Sequence, residues 1–134
     1  MKLNSNSRRV LLSLAYLETA VNALDLTVID ALRGLYSLRD EREIGTHLRG
    51  RDRVRAILPL VRRELAERFG DDNVRLELVD DREFPGKPTL FAVVETRRPA
   101  AEAALLLGAF DDEWWLDAAE GVDGQLSVAV DFAA

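Results

Sequence analysis

The chain has 134 residues, of which 18 are Lys or Arg, 24 are Asp or Glu, one is His and none is Cys, giving a net charge of -6. This length suits one domain, residues 1–134, and a hydrophobic fraction of 48% can form an ordinary core. The absence of Cys excludes disulfides and Cys-ligated zinc, and the single His47 excludes sites that need two imidazoles. We therefore expect no metal and no cofactor.

The charges are divided unevenly along the chain. Residues 1–70 hold 13 basic and 9 acidic side chains, whereas residues 71–134 hold 5 basic and 15 acidic ones. An acidic surface repels nucleic acid and attracts basic surfaces. We therefore expect a basic protein as the partner rather than a nucleic acid.

The N-terminus loosely imitates a secretory signal. Lys2, Arg8 and Arg9 precede an apolar run that reaches Leu17, but Glu18 then interrupts it. No stretch approaches the roughly 20 apolar residues that a membrane span needs. We expect a cytoplasmic protein without a membrane partner.

An apolar stripe with alternating spacings of four and three runs through residues 8–38. It predicts an amphipathic helix, which would be about 45 Å long if unbroken. Because a domain of this size has a diameter of roughly 36 Å, either the helix breaks near residues 25–27 into a hairpin, or it packs against a second copy. We take residues 1–50 as a helical oligomerisation region that forms a homodimer. The residues expected to make this contact are Leu14, Leu17, Val21, Leu24 and Val28.

A charged connection, residues 39–51, leads to a further helix. Its apolar positions recur at helical spacing from Val54 to Phe69, and Gly70 is expected to end it. Pro59 predicts a kink or a restart inside this helix, because proline lacks the backbone N–H that a helix interior uses.

The rest of the chain predicts two strands, a helix and a last strand. Residues 74–78 and 89–96 form a hairpin whose second strand is central, because it is apolar on both faces. Pro99 begins a helix that we expect to end at Gly108, before a short helical turn and a strand at 126–132. The order ααα-ββαβ predicts an α+β fold in which the N-terminal helices pack on one face of a small, mainly antiparallel sheet. Residues 51–134 form its α-ββαβ region.

The segment Phe110-Asp111-Asp112-Glu113-Trp114-Trp115-Leu116 is the candidate site. Adjacent residues of a helical turn point about 100° apart, so we expect one tryptophan in the core, beside Phe110 and Leu116, and the other near the surface. The consecutive carboxylates diverge, which argues against a metal site. The residues expected to bind a partner are Trp114, Trp115, Asp112 and Glu113.

The same segment carries a resemblance. A helix ending in Phe69-Gly70, the strand Leu76-Glu77-Leu78-Val79, an aliphatic strand, an Ala/Leu helix and the double-tryptophan segment follow one another in this order. The arrangement resembles a group of small uncharacterised bacterial proteins. The resemblance covers residues 52–133. It implies a similar architecture only, because that group has no established activity.

Arg42 and His47 resemble the Arg-x4-His motif of the HEPN ribonuclease family, which cleaves RNA without a metal. Gly45 lies between them, they are five positions apart, and that family is all-helical, whereas a sheet is predicted here. A solvated basic turn is the expectation. An arginine cluster between residues 49 and 63 could contact phosphates, but six acidic residues are interleaved between positions 40 and 67.

The composition and these motifs favour a non-catalytic, oligomeric protein-interaction module of the antitoxin, immunity or adaptor type. One alternative is an RNA-binding protein or metal-independent ribonuclease that uses the basic middle segment. A second is a small-molecule sensor that uses the uncovered face of the sheet. With one His, no Cys and no GxSxG motif, we expect no hydrolytic activity.

Overall fold

The computed structural model describes residues 26–80, 82–83, 86–122 and 124–133. Among these residues, no helix is long and apolar enough to cross a membrane. The elements are α1 (26–33), β1 (Ser37–Leu38), α2 (Glu41–Leu48), α3 (Asp52–Phe69), β2 (Asn73–Asp80), β3 (Pro88–Thr96), α4 (Ala100–Phe110), a π-helical turn (Asp111–Trp115), α5 (Leu116–Ala118), a 3-10 turn (Ala119–Val122) and β4 (Leu126–Phe132).

The sheet has the strand order β1-β2-β3-β4, so that β3 is central and β4 lies at an edge. β2 and β3 pair antiparallel, whereas β1 pairs with β2 and β3 with β4 in parallel. The predicted α+β class is confirmed. We expected a mainly antiparallel sheet, but two of the three described strand pairs are parallel. β4 runs parallel to β3 because α4 and the turns after it carry the chain back across the sheet before β4 begins.

Helix α3 supplies the centre of the core. Its buried residues recur at helical spacing, and they pack against the alternate residues of β2 and β3 that point to the same face. Gly70 ends the helix with a φ of 64°, as predicted. The helix is continuous through Pro59, so of the two expected outcomes, a kink or a restart, the restart does not occur, and the exposed proline ring lies on the solvent side. The buried α3 residues are Val54, Leu58, Val61, Leu65 and Phe69.

Helix α1 packs against this core through a face adjacent to the predicted stripe. Ile29, Leu32 and Tyr36 are buried, and the Tyr36 hydroxyl donates a 2.6 Å hydrogen bond to the carbonyl of Leu58. In the stripe, Val28 is half-buried and Leu35 is 36% exposed. Four of the five residues expected to make the dimer contact lie outside the described part of the chain: Leu14, Leu17, Val21 and Leu24.

The segment 39–51 is more than the expected connection. It contains α2, which forms because Ile44 and Leu48, one turn apart, are both buried in the core. Leu38, which was assigned to the helical stripe, instead belongs to β1 and pairs with Leu76. A helix cannot continue through it because this short strand extends the sheet.

Self-association through the N-terminal stripe remains a prediction. Changing Leu17→Glu and Leu24→Glu together should dissociate an oligomer or unfold the protein, because the new charges lie where apolar contacts are expected. Light scattering at a protein concentration of tens of micromolar measures the oligomeric state of the wild type and of the variant. A monomeric wild-type protein at that concentration contradicts the prediction.

Candidate functional site

Three aromatic rings form one cluster where α4 continues into the π-helical turn. The Phe110 ring lies 5.7 Å from Trp114 and 5.8 Å from Trp115, and the two indoles are 6.0 Å apart. Trp115 is 8% exposed and belongs to the core, whereas Trp114 is half-buried against it. One tryptophan is therefore a core residue and the other lies nearer the surface.

Two expectations about this segment are wrong. The helix does not end at Gly108 but continues to Phe110 and then widens into the π-helical turn. Leu116 was expected to cover the buried tryptophan, yet it is 62% exposed. A π-helical turn inserts an additional residue into the helical repeat, which rotates the following side chains, and such turns occur frequently at functional sites.

The side chains of the three consecutive acidic residues lie in different surroundings. Asp111 lines a groove beside Trp115, Asp112 is exposed, and Glu113 accepts a 2.8 Å hydrogen bond from Arg68. Arg68 also bonds Glu64, and its guanidinium lies 5.8 Å from the centre of the Phe110 ring. Glu113 thus has a structural partner that ties the π-helical turn to α3.

The groove beside Trp115 has a volume of about 460 Å³. One wall comes from the π-helical turn, α5 and the 3-10 turn, and the other wall is β4. Most of the lining residues are apolar and one is a carboxylate, but polar atoms make up the larger part of the surface that faces the groove. The lining residues are Asp111, Trp115, Leu116, Ala119, Val122, Gly124, Leu126, Ser127 and Val128.

Strand β4 presents an open edge along this groove. Within the described residues, β3 is the only strand that pairs with β4. The N–H of Ala133 donates to the carbonyl of Thr96 on β3, and backbone groups alternate in direction along a strand. It follows that the odd-numbered residues of β4 bond to β3. The residues that direct their backbone N–H and C=O groups outwards are Leu126, Val128, Val130 and Phe132.

The surroundings of the groove are strongly acidic. Residues 99–134 contain eight acidic side chains and no basic one. Asp117 and Glu120 are exposed on the same wall as Asp111. Two large apolar side chains are exposed beside them, Leu116 at 62% and Phe132 at 53%. Together these features describe a groove between largely apolar residues with an acidic rim.

Asp111 has a raised pKa, first because burial disfavours its charge and second because Asp112 is nearby. A carboxyl group whose pKa is higher in the folded state than in the unfolded state stabilises the fold at low pH, where the group is protonated. This stabilisation is lost as the pH rises through the folded-state pKa. We therefore expect Asp111→Asn to increase the free energy of unfolding at neutral pH. Denaturant titrations should show the gain shrinking at acid pH, where Asp111 is protonated. Asp117→Asn, at an exposed position, is the control, and an equal gain in both variants contradicts the assignment.

The alternative motif on α2 is not assembled into a site. Arg42 is exposed and borders a groove of about 550 Å³ between α1 and α2. His47 is half-buried, and its pKa is lowered by burial and by the charge of Arg51. Five positions along one helix turn the two side chains to different faces. Nearby Arg33 is already paired with Glu41 and Asp30.

The face of the sheet opposite α3 carries a network of ion pairs. Arg75 is at its centre and donates to Glu95 at 2.6 Å, Glu77 at 3.2 Å and Asp131 at 3.4 Å. Its guanidinium holds the pKa of Glu95 below the usual range. The cations and carboxylates on this face are therefore largely engaged with one another, which gives the sensor hypothesis no support.

Comparisons with protein-family models, with curated proteins and with solved structures found no match. Among the described residues, no group of three or more His, Asp or Glu side chains is arranged to hold a metal ion. Sequence reasoning pointed to the double-tryptophan segment, but it missed Asp111, Leu116 and the open edge of β4. Only the run of acidic residues after position 99 signalled this surface in the sequence.

Proposed function

We propose that the protein is a non-catalytic interaction module that binds an extended basic segment of another protein. The segment adds to the sheet as a new strand beside β4, and its alternate side chains enter the groove against Trp115 and Leu116. Strand addition of this kind takes affinity from backbone hydrogen bonds and specificity from the pockets that receive alternate side chains. The open edge of β4, with its outward backbone groups beside a groove between largely apolar residues, is the observation that carries this proposal.

The charge of the site supports a basic occupant. Eight acidic and no basic side chains after residue 98 attract lysine and arginine, and they oppose pairing of β4 with the β4 strand of another copy. Asp111 lies inside the groove and is the natural partner of one cationic side chain. Asp112 and Glu113 lie outside it, and we expect them to act on the association rate through long-range attraction.

The test uses a peptide of about eight residues in which valine and lysine alternate, because β4 has seven residues to pair with. Isothermal titration calorimetry should show binding that weakens as salt is added. A peptide in which glutamate replaces lysine is the charge control and should not bind. Equal binding of both peptides, or of neither, contradicts the proposal.

Backbone methylation of the peptide separates strand addition from simple charge attraction. An N-methyl group on alternate residues blocks the amides on one edge only, so one methylated peptide loses the bonds to β4 and the other keeps them. We expect one register of methylation to abolish binding and the other to preserve it. If both methylated peptides bind like the parent, the peptide does not form a strand.

Asp111→Asn should weaken peptide binding, because it removes the carboxylate inside the groove while preserving its shape. Exposed Glu102, on the first turn of α4, offers a matched control, Glu102→Gln, which changes the net charge equally. A larger loss for Asp111→Asn than for Glu102→Gln supports recognition within the groove. Equal losses indicate general charge attraction and contradict it.

A further inference from the structure

Strand β4 carries an acidic side chain on the face of the sheet opposite the groove. Arg75 donates a 3.4 Å hydrogen bond to Asp131 on that face. Leu126 and Val128 line the groove on the other face. Successive side chains of a strand point to opposite faces, and position 131 is an odd number of residues away from positions 126 and 128. A strand added beside β4 therefore has a carboxylate next to each of its faces, Asp111 in the groove and Asp131 on the other side.

Asp131 is the least engaged of the three carboxylates around Arg75. Its hydrogen bond to Arg75 is 3.4 Å long, against 2.6 Å for Glu95 and 3.2 Å for Glu77. Its side chain is 60% exposed, against 35% for Glu95 and 19% for Glu77. Because Arg75 keeps the two shorter bonds, Asp131 can turn to a cation of a bound peptide without leaving this guanidinium without a carboxylate.

This network holds more negative than positive charge. Among the described residues, its three carboxylates share two guanidinium groups, because Arg39 donates to Glu77 at 3.2 Å beside the bonds from Arg75. The excess carboxylate attracts a further cation, and the exposed Asp131 is where a lysine or arginine of a partner can approach.

The backbone of β4 fixes which residue of an added strand meets Asp131. Val130 and Phe132, on either side of it, direct their backbone groups outwards and bond the added strand there. Directly opposed residues of neighbouring strands share a face, and in antiparallel pairs their Cβ atoms are about 4.5–5.5 Å apart. A lysine at the opposed position therefore reaches Asp131. A lysine three or five positions away along the peptide points into the groove instead, where Asp111 lies.

We propose that the partner segment carries two cationic side chains separated by three or five positions, one for Asp111 in the groove and one for Asp131 on the opposite face. This inference rests on the proposed strand addition at β4 and adds the spacing of cations that the site selects. Lysines two or four positions apart lie on one face of a strand, so they engage only one of these two carboxylates at a time.

Two peptides of equal composition and about eight residues test this spacing, since β4 has seven residues to pair with. Both contain two lysines in a host of valine and threonine, three positions apart in the first peptide and four positions apart in the second. Isothermal titration calorimetry with the full chain should show that the first binds about fivefold more tightly, because it gains one partly exposed ion pair. Equal affinities overturn the spacing proposal but leave strand addition standing, whereas binding of neither peptide overturns both.

Asp131→Asn tests the assignment of the second carboxylate. The variant keeps the shape of the side chain and leaves Arg75 bonded to Glu95 and Glu77, so its circular dichroism spectrum should match that of the wild type. On this variant the first peptide should lose its fivefold advantage over the second. Glu102→Gln, which changes the net charge equally, should preserve the advantage. An advantage that persists in Asp131→Asn, or that is lost in both variants, overturns the role of Asp131.

Discussion

Replacing Trp115 with Ala should lower the free energy of unfolding by roughly 3–5 kcal/mol, the range measured for large aromatic side chains removed from a core. Trp115 is 8% exposed and stacks on Phe110, which is fully buried. The variant loses this contact and leaves a cavity between the π-helical turn and the sheet. Since small domains have total stabilities of only about 5–15 kcal/mol, this loss is a large share of the total.

Trp114→Ala provides the comparison for this prediction. Trp114 packs on the same Phe110 ring but is half-buried, so its removal exposes less of the core. Urea denaturation followed by circular dichroism should give a clearly smaller loss than for Trp115→Ala. Equal and severe destabilisation by the two variants would show that both indoles are core residues, and the assignment of one of them to a place nearer the surface would be wrong.

Proline at two neighbouring positions of β4 should have very different consequences. Ala129 directs its N–H towards β3, so Ala129→Pro removes a ladder bond and leaves a carbonyl of the central strand without its donor. A buried polar group without a partner costs roughly 1–3 kcal/mol, to which the strain of proline inside a sheet is added. Val128 directs its N–H outwards, and proline is tolerated at such edge positions.

Thermal melting of Ala129→Pro and Val128→Pro measures this difference. We expect a large fall in Tm for the first and a small one for the second. Val128→Pro should nevertheless lose peptide binding, because it removes one outward donor from the edge. If Val128→Pro is the more destabilising change, the outward edge of β4 has been assigned to the wrong residues.

The sequence predicted those parts of the fold in which one face of an element is apolar and the other polar. The buried residues of α3 recur at a single helical spacing, and Gly70 supplies the positive φ that ends the helix. In α1 and the turn that follows it, two neighbouring faces are apolar, one with Val28 and Leu35 and one with Ile29 and Tyr36. Periodicity alone cannot choose between them, and the bulkier set packs in the core.

The candidate site was only partly predictable because it depends on which strands become neighbours. The alternation of side chains between the two faces of β4 is the same whether the strand pairs in parallel or antiparallel. It is also the same whether the strand lies in the centre of the sheet or at an edge. Its outward backbone groups are fixed by its register with β3. Gly108 was taken as a helix end because glycine often ends helices, yet here α4 continues through it.

Mapping the bound valine–lysine peptide on the isotopically labelled protein by NMR tests the central claim most directly. We expect the largest chemical-shift changes at the outward amides of Leu126, Val128, Val130 and Phe132, and at the indole of Trp115. Amides of α2 and of the first two turns of α4 should not move. Changes concentrated on those helices, or on the ion-pair network around Arg75, would show that the peptide binds elsewhere and would contradict strand addition at β4.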